Sequence, residues 1–278
     1  MPLPHPELPM SSNEFLQMEH RLGWKHEYVD GAARLTLQES AVVSFELVTV
    51  DVVEVERPAS YRLRLIDDDD LGALIQLFEQ AFDASPDFTG WPERIFRRHA
   101  RDSIVSFFGG ETKRRAGGAG YRAASFVITD KSQLIAAVLT RQESDGPTLA
   151  PIMVHPDHQR RGLATHLLHA TLSALRDECV PMLRSHCYLA NAASLAWHTH
   201  NGFIEIPNSV TARHRWEHYE CLARHYAASG QAEREQHMLA QATEWQELAE
   251  RLEVVERSAW GLRTQGLLES RDFPFVPQ

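Results

Sequence analysis

The sequence predicts an α/β (α+β) fold, a sheet flanked by helices, and three observations carry that reading. Strand-like and helix-like hydrophobic patterns alternate between Tyr61 and Ile206, as expected where helices pack on a sheet. Within that span an apolar strand pattern, Thr148 to Val154, runs into a turn containing Gly162, and an amphipathic helix pattern leaves the turn. After Ile206 the pattern is helical, in two runs separated by Ser229-Gly230, which predicts a helical hairpin.

Taken in order, Ser11-Ser12-Asn13-Glu14 reads as a capping box that opens a short helix closing at Gly23. Trp24 to Val29 and Ala32 to Leu37 flank Asp30-Gly31, a favoured two-residue hairpin turn. Val42 to Val55, dense in Val and punctuated by Glu46, Asp51 and Glu54, reads as a long half-exposed strand, and Pro58-Ala59-Ser60 as a boundary. From Tyr61 the expected succession is a strand (61–66), helices (71–82 and 93–101) and strands (123–128, 133–140 and 148–154). The turn, a helix to about Asp177, a strand (182–188), a helix (191–201) and a strand (203–206) complete it. The Asp67–Asp70 run needs no function, since acidic residues at a helix start are favoured by capping and by the dipole. This divides the chain into an N-terminal appendage (1–58), an α/β domain (59–208) and a C-terminal helical hairpin with tail (209–278).

With 278 residues, 43% of them hydrophobic, the chain can bury a sizeable core. No apolar run approaches the roughly 18 residues that cross a membrane, and the Pro-rich start lacks the features of a signal peptide. Three cysteines, Cys179, Cys187 and Cys221, form neither a CxxC pair nor a disulfide framework, which points to a reducing cytoplasm. A net charge of −10 argues against a general nucleic-acid surface and leaves cationic partners open. The Gly109–Gly120 stretch, with Lys113-Arg114-Arg115, is a solvated connector or a flexible basic loop for an acidic ligand; it lacks the ending of a phosphate loop.

The turn His158-Gln159-Arg160-Arg161-Gly162-Leu163-Ala164 carries the functional signal. A helix start offers N–H donors without intrahelical partners and a positive dipole end, and Gly lets the main chain approach a ligand closely; together they suit a pyrophosphate. With Val154-His155-Pro156 upstream, and Asn191 and Asn201-Gly202-Phe203 downstream, this resembles the GNAT superfamily of N-acetyltransferases, whose phosphate signature is Gln/Arg-x-x-Gly-x-Gly/Ala. The resemblance covers about 61–206 and implies a mixed, mostly antiparallel sheet with acetyl-CoA as acyl-donor cosubstrate. It also implies cofactor contacts from the backbone of Ile152, Met153 and Val154, and from Gln159, Arg160, Arg161, Gly162, Leu163, Ala164 and Thr165 around the pyrophosphate. Pro151 inside the strand requires a bulge or an edge, and the family's bulged, splayed strand provides one. Asn191 reads as a helix N-cap and, by the resemblance, as a contact to the cofactor arm.

Seven residues beyond Asn191 the family often has a Tyr that protonates the departing thiolate; His198 stands there and is the candidate general acid, or a wall of the cleft. The family's Glu general base is missing from Leu149-Ala150-Pro151, leaving His186, Glu79, Asp83 and Asp87 as unranked candidates. His214-Arg-Trp-Glu217-His218 matches HxxEH, but a pattern so short arises easily among fifteen histidines, so no metal is expected. The resemblance therefore implies an N-acyltransferase, transferring acetyl from acetyl-CoA to a primary amine of a small molecule or protein by direct attack. A catalytically degenerate acyl-CoA-binding or scaffold protein is the alternative. No nucleic-acid or membrane partner is expected, and the hairpin pattern suits packing on the domain or against a second copy, as in a homodimer. The family usually adds a last strand after the Gly-Phe strand, which this chain lacks; the segment from Val42 to Val55 is the internal candidate to fill the sheet edge.

Overall fold

The computed structural model describes residues 7–18, 20–49, 61–109 and 119–264. In chain order the elements are β1 (Glu7–Pro9), α1 (Ser12–Gln17), β2 (Trp24–Val29), β3 (Ala32–Leu37), β4 (Val42–Val48), β5 (Arg62–Leu65), α2 (Leu71–Phe82), α3 (Glu93–Phe108) and β6 (Ala119–Gly120). They continue with β7 (Phe126–Asp130), β8 (Gln133–Glu143), β9 (Gly146–Val154), α4 (Leu163–Asp177), β10 (Met182–Tyr188), α5 (Ala192–His200), β11 (Ile204–Ile206), α6 (Ser209–Ala228) and α7 (Ala232–Thr264). The chain packs as two compact units, one within Phe45–His186 and Trp197–Glu205, the other within residues 7–44, Cys187–Ala196 and 206–264. Among the described residues no helix is long and apolar enough to cross a membrane.

The first unit is built on a mixed sheet with strand order β11-β4-β10-β9-β8-β7-β5, and β6 adds to β8. The β5–β7, β7–β8, β8–β9 and β6–β8 pairs are antiparallel and the β9–β10 pair is parallel, so the sheet is mixed and mostly antiparallel as expected. Strand β8 is buried from Ile135 to Arg141, the burial of a central strand covered on both faces. On one face Ala137 and Leu139 join Leu74, Leu77 and Phe78 of α2 and Phe96, Ile104 and Phe107 of α3. Ala136 and Val138, fully buried, point the other way. Helix α4 packs on β7, β8 and β9 through a stripe including Leu167, Leu168 and Leu175.

The acidic run at 67–70 caps, as expected: Asp70 accepts from the Asp67 N–H at 2.8 Å, and Arg64 holds Asp70 through two 2.6 Å bonds. Helix α3 runs to Phe108, beyond the expected Arg101, because Ile104 and Phe107 extend its buried stripe. Strand β4 occupies a place between β10 and β11, filling the sheet where a strand was missing. It ends at Val48, where the Thr49 N–H donates to the Pro181 carbonyl at 3.0 Å; residues 50–55 of the expected strand lie outside the described residues. Most of the Gly109–Gly120 loop, with Lys113 to Arg115, also lies outside them.

In the second unit β1, β3 and β2 form a three-stranded antiparallel sheet. Asp30 (φ 51°) and Gly31 (φ 79°) make the left-handed pair a two-residue hairpin needs, and Val29 faces Ala32 across it. The Ser11/Glu14 capping box is present. Its helix stops at Gln17 rather than running on to Gly23, because the intervening amides find other partners. The Arg21 N–H donates to His26 Nε2 at 3.1 Å and the Trp24 N–H to the Arg21 carbonyl at 3.2 Å. Helices α6 and α7 form the expected hairpin, turning at Ser229 and Gly230. The Glu256 carboxylate accepts from the Ser209 N–H at 2.9 Å at the start of α6, and the Arg215 guanidinium lies 4.5 Å over the Trp245 ring. The HxxEH residues sit on α6, with His214 Nδ1 4.0 Å from Glu217. Among the described residues no group of three or more His, Cys, Asp or Glu is arranged to hold a metal ion.

His26 makes this unit sensitive to acid. Its Nδ1–H donates to the Trp24 carbonyl at 3.1 Å while Nε2 accepts from Arg21, so the neutral ring satisfies both neighbours and a protonated one cannot. Burial, with positive charge from His20, Arg21 and His218 adding to it, holds the imidazole down to about 4. The unfolded chain, with a pKa of about 6.5, takes up the proton first; the contribution of His26 is full above that pH and is lost as pH falls toward 4. Thermal melts from pH 7 to pH 4 should show Tm falling, and His26→Gln should reduce the slope; an unchanged slope would assign the sensitivity to other groups.

Candidate active site

The site begins with an incomplete pairing. Strand β9 follows β8 along nearly its whole length, from Glu143↔Gly146 to Ala136↔Val154, with a shift between Val138 and Thr140 that places Ala150 and Pro151 in a bulge. The expected bulge at Pro151 is therefore present, and the Ala150–Pro151 peptide is cis. On its other side β9 meets β10 at one registered pair among the described residues, Thr148↔Arg184. Beyond it the edge of β9 that faces β10 carries no strand partner in the described structure. Such an edge is a template for a ligand with amide groups of its own. The Met153 side chain is 1% exposed and belongs to the α2/α3 core, so this residue can meet a ligand only through its backbone; Ile152 and Val154 are half-buried.

The open edge leads into the Gly162 turn. Arg160 (φ 61°) and Gly162 (φ 76°) are both left-handed and flank Arg161, and a turn of mixed handedness aims successive N–H groups into a concave, anion-binding nest. Gly162 is the N-cap of α4, no side chain caps it, and a Cβ built on it would meet nothing within 4 Å. The helix start thus faces open space, with its amides free of side-chain competition at the cap. Gln159, Arg160, Arg161 and Gly162 are exposed, Ala164 and Thr165 half-buried, and Leu163 is buried at the start of the helix. These residues fit an anionic group at the turn and an amide-bearing chain along β9, with positive charge close by.

The family model for the "Acetyltransferase (GNAT) family" matches residues 74–203. These residues form a GNAT acetyltransferase domain. Over 86 residues the chain is 34% identical to the [ribosomal protein bS18]-alanine N-acetyltransferase of Escherichia coli (strain K12), with 31% of this chain covered. It spans 58% of the length of that relative. Among solved structures it is similar to the ribosomal-protein-S18-alanine N-acetyltransferase of Escherichia coli (24% identity, 53% of this chain and 79% of that one, TM-score 0.38). The PaiA N-acetyltransferase of Thermoplasma acidophilum, solved in complex with coenzyme A, is also similar (14% identity, 52% and 90%, TM-score 0.42).

Within the GNAT domain His198 lies on α5 and is 3% exposed. Its Nε2 is 2.8 Å from the hydroxyl of Ser185 on β10, its ring stacks on Phe45 of β4 at 4.3 Å, and Phe203 meets it edge-on at 4.9 Å. The ring thus joins helix to sheet. Asn191 caps α5, accepting from the Ser194 N–H at 3.0 Å, and falls in the second unit.

Of the candidate bases, Glu79 is half-buried on α2, Asp83 is exposed just after it, and Asp87 follows the Ser85 cap. His186 sits on β10 two residues past the last pair with β9. Part of its surface meets water, yet the protein crowding the ring desolvates the imidazolium and keeps its pKa below the usual value, with Glu143 opposing.

The aromatic setting of His198 was not legible from the sequence, since Phe45 lies far upstream and in no motif. The same holds for Tyr61, whose hydroxyl receives a 3.1 Å hydrogen bond from Arg161, a hundred positions away. Replacing His198 by Phe keeps the ring stack but strands the Ser185 hydroxyl, which is 6% exposed on average over the residue. A buried polar group losing its partner costs about 1–3 kcal/mol, and urea unfolding of His198→Phe should show a loss of that size.

Proposed function

We propose that the chain is an acyl-CoA-dependent N-acyltransferase, passing acetyl from acetyl-CoA to a primary amine of a small molecule or protein. Its catalytic domain spans about residues 59–208. The observation that carries this reading is the open edge of β9 running directly into the nest at the start of α4. The backbone of Ile152, Met153 and Val154 would hold the amide-bearing pantetheine arm, and Gln159 to Thr165 the pyrophosphate. Asn191 is proposed as a further contact to that arm on the family resemblance. The relative's printed name puts its acceptor amine on a ribosomal protein, which supports an amine-bearing acceptor. Three free cysteines, Cys179, Cys187 and Cys221, support a reducing cytoplasm.

In the reaction a neutral amine attacks the thioester carbonyl carbon, forming the C–N bond as the C–S bond breaks. Backbone N–H groups of the bulged strand stabilise the oxyanion, the amine gives up a proton, and the thiolate leaves with one. Among the candidate bases His186 is favoured, because it borders the open edge and its lowered pKa keeps the imidazole neutral at pH 7. His198 was the expected acid. Its 3% exposure and its bond to Ser185 favour a role in holding α5 on the sheet.

Gly162→Glu places bulk and negative charge in the open space of the nest and should abolish acetyl-CoA binding in a folded protein; unchanged affinity by calorimetry would refute the site. For His186→Gln, the acid limb of kcat/KM against pH, which lies below about 6.5 for a base of this kind, should disappear. Retention of that limb would move the base elsewhere. Turnover of His198→Phe should stay within a few-fold of wild type, whereas an approximately hundred-fold loss at saturating cofactor would restore it as the acid. Binding without turnover against a panel of amines would favour a degenerate acyl-CoA-binding protein.

A further inference from the structure

The Gly162 turn is exposed from Gln159 to Gly162, so little packing fixes its shape, and it contains a non-glycine residue, Arg160, at φ 61°. Gln159 ties its start to the Val154 and Pro156 carbonyls through its side-chain amide and its N–H, at 3.3 and 3.2 Å, and the rest of the turn is held by hydrogen bonds made by Arg161. One arm of the guanidinium donates to the Asp157 carbonyl at 2.9 Å, closing the turn on itself across four residues. The other donates to the Tyr61 hydroxyl at 3.1 Å. Tyr61 immediately precedes β5, where Arg62 is registered against Thr129 of β7, so the acceptor stands on a fixed point of the sheet. Its ring also meets His158 edge-on at 6.1 Å, against the short helical turn Pro156–His158 that leads into the nest.

We propose that Tyr61 is a positioning residue for the acyl-donor site: by accepting from Arg161 it clasps the Gln159–Thr165 turn to the sheet and keeps the nest N–H groups convergent before ligand arrives. The nature of the ligand rests on the function proposed above; the clasp itself does not. A loop held in its bound shape avoids the ordering cost of binding, so loss of the clasp weakens affinity without touching the reacting atoms. Arg161 then acts through geometry as well as through charge, and an aromatic without a hydroxyl at 61 is insufficient.

Tyr61→Phe in the full chain removes the acceptor and keeps the ring. Hydrogen exchange of the ligand-free protein should quicken across residues 159–165 and stay unchanged in β8. The acetyl-CoA Kd by calorimetry should rise about five-fold, in line with one net hydrogen bond, and KM should follow it while kcat holds. Arg161→Gln should show the same pattern more strongly, and adding Tyr61→Phe to it should have no further effect. Wild-type exchange across the turn in Tyr61→Phe overturns the clasp, whatever the affinity. So does a variant set in which Arg161→Gln weakens binding and Tyr61→Phe does not, which would leave Arg161 acting by charge alone. Wild-type protein with no measurable acetyl-CoA affinity would overturn the choice of ligand, while the exchange comparison would still decide the clasp.

Discussion

Strand β9 is paired along one side and, past Thr148, open along the other, and the rest of the first unit is arranged around that asymmetry. Backbone N–H and C=O groups demand partners, and an interior strand that lacks them is tolerated where water or a ligand can supply them. The bulge at Ala150 and Pro151 helps produce the opening, because proline cannot donate to a ladder and an extra residue bends the strand. Met153, anchored in the α2/α3 core, holds the strand down where β10 does not. The opening is therefore a stable property of the sheet, secured by burial on one face and by β8 on one edge.

Around this frame, charge is used sparingly. Arg64 is matched to Asp70 by two bonds and Arg184 bridges Glu46 and Asp145, so these cations are spent on holding elements in place. At the Gly162 turn Arg160 and Arg161 are exposed beside a helix start, and Arg161, whose hydrogen bonds go to the uncharged Tyr61 hydroxyl and Asp157 carbonyl, keeps its positive charge there. In a chain with net charge −10, such a local reversal of sign favours an anionic ligand at that place over the remaining surface.

Much of the fold was legible because its signals are local. The Asp30-Gly31 turn, the Ser11/Glu14 and Asp67–Asp70 caps, the Gly162 turn and the Pro151 bulge each depend on residues within a few positions of one another, and the structure contains all of them. Helix lengths were less legible: α1 stops early because a His26 ring nitrogen takes an amide, and α3 runs on because of Ile104 and Phe107. At the site the turn could be read in advance, but its surroundings could not. That Tyr61 would meet Arg161, or Phe45 would stack on His198, depends on how a strand, a turn and a helix far apart in the chain pack together, which local patterns do not encode.

The position of β4 has a consequence for synthesis. Its neighbours in the sheet are β10 and β11, and its bonds reach from Thr49 to Val180 and from Glu46 to Arg184. A ribosome adding about 5–20 residues per second makes β4 long before either neighbour exists, so this Val-rich strand waits on the nascent chain for on the order of ten seconds. Throughout that interval neither of its neighbours in the finished sheet has been made. Completing the sheet therefore waits on contacts between residues as far apart as Glu46 and Arg184, and such long-range pairing is slow to form.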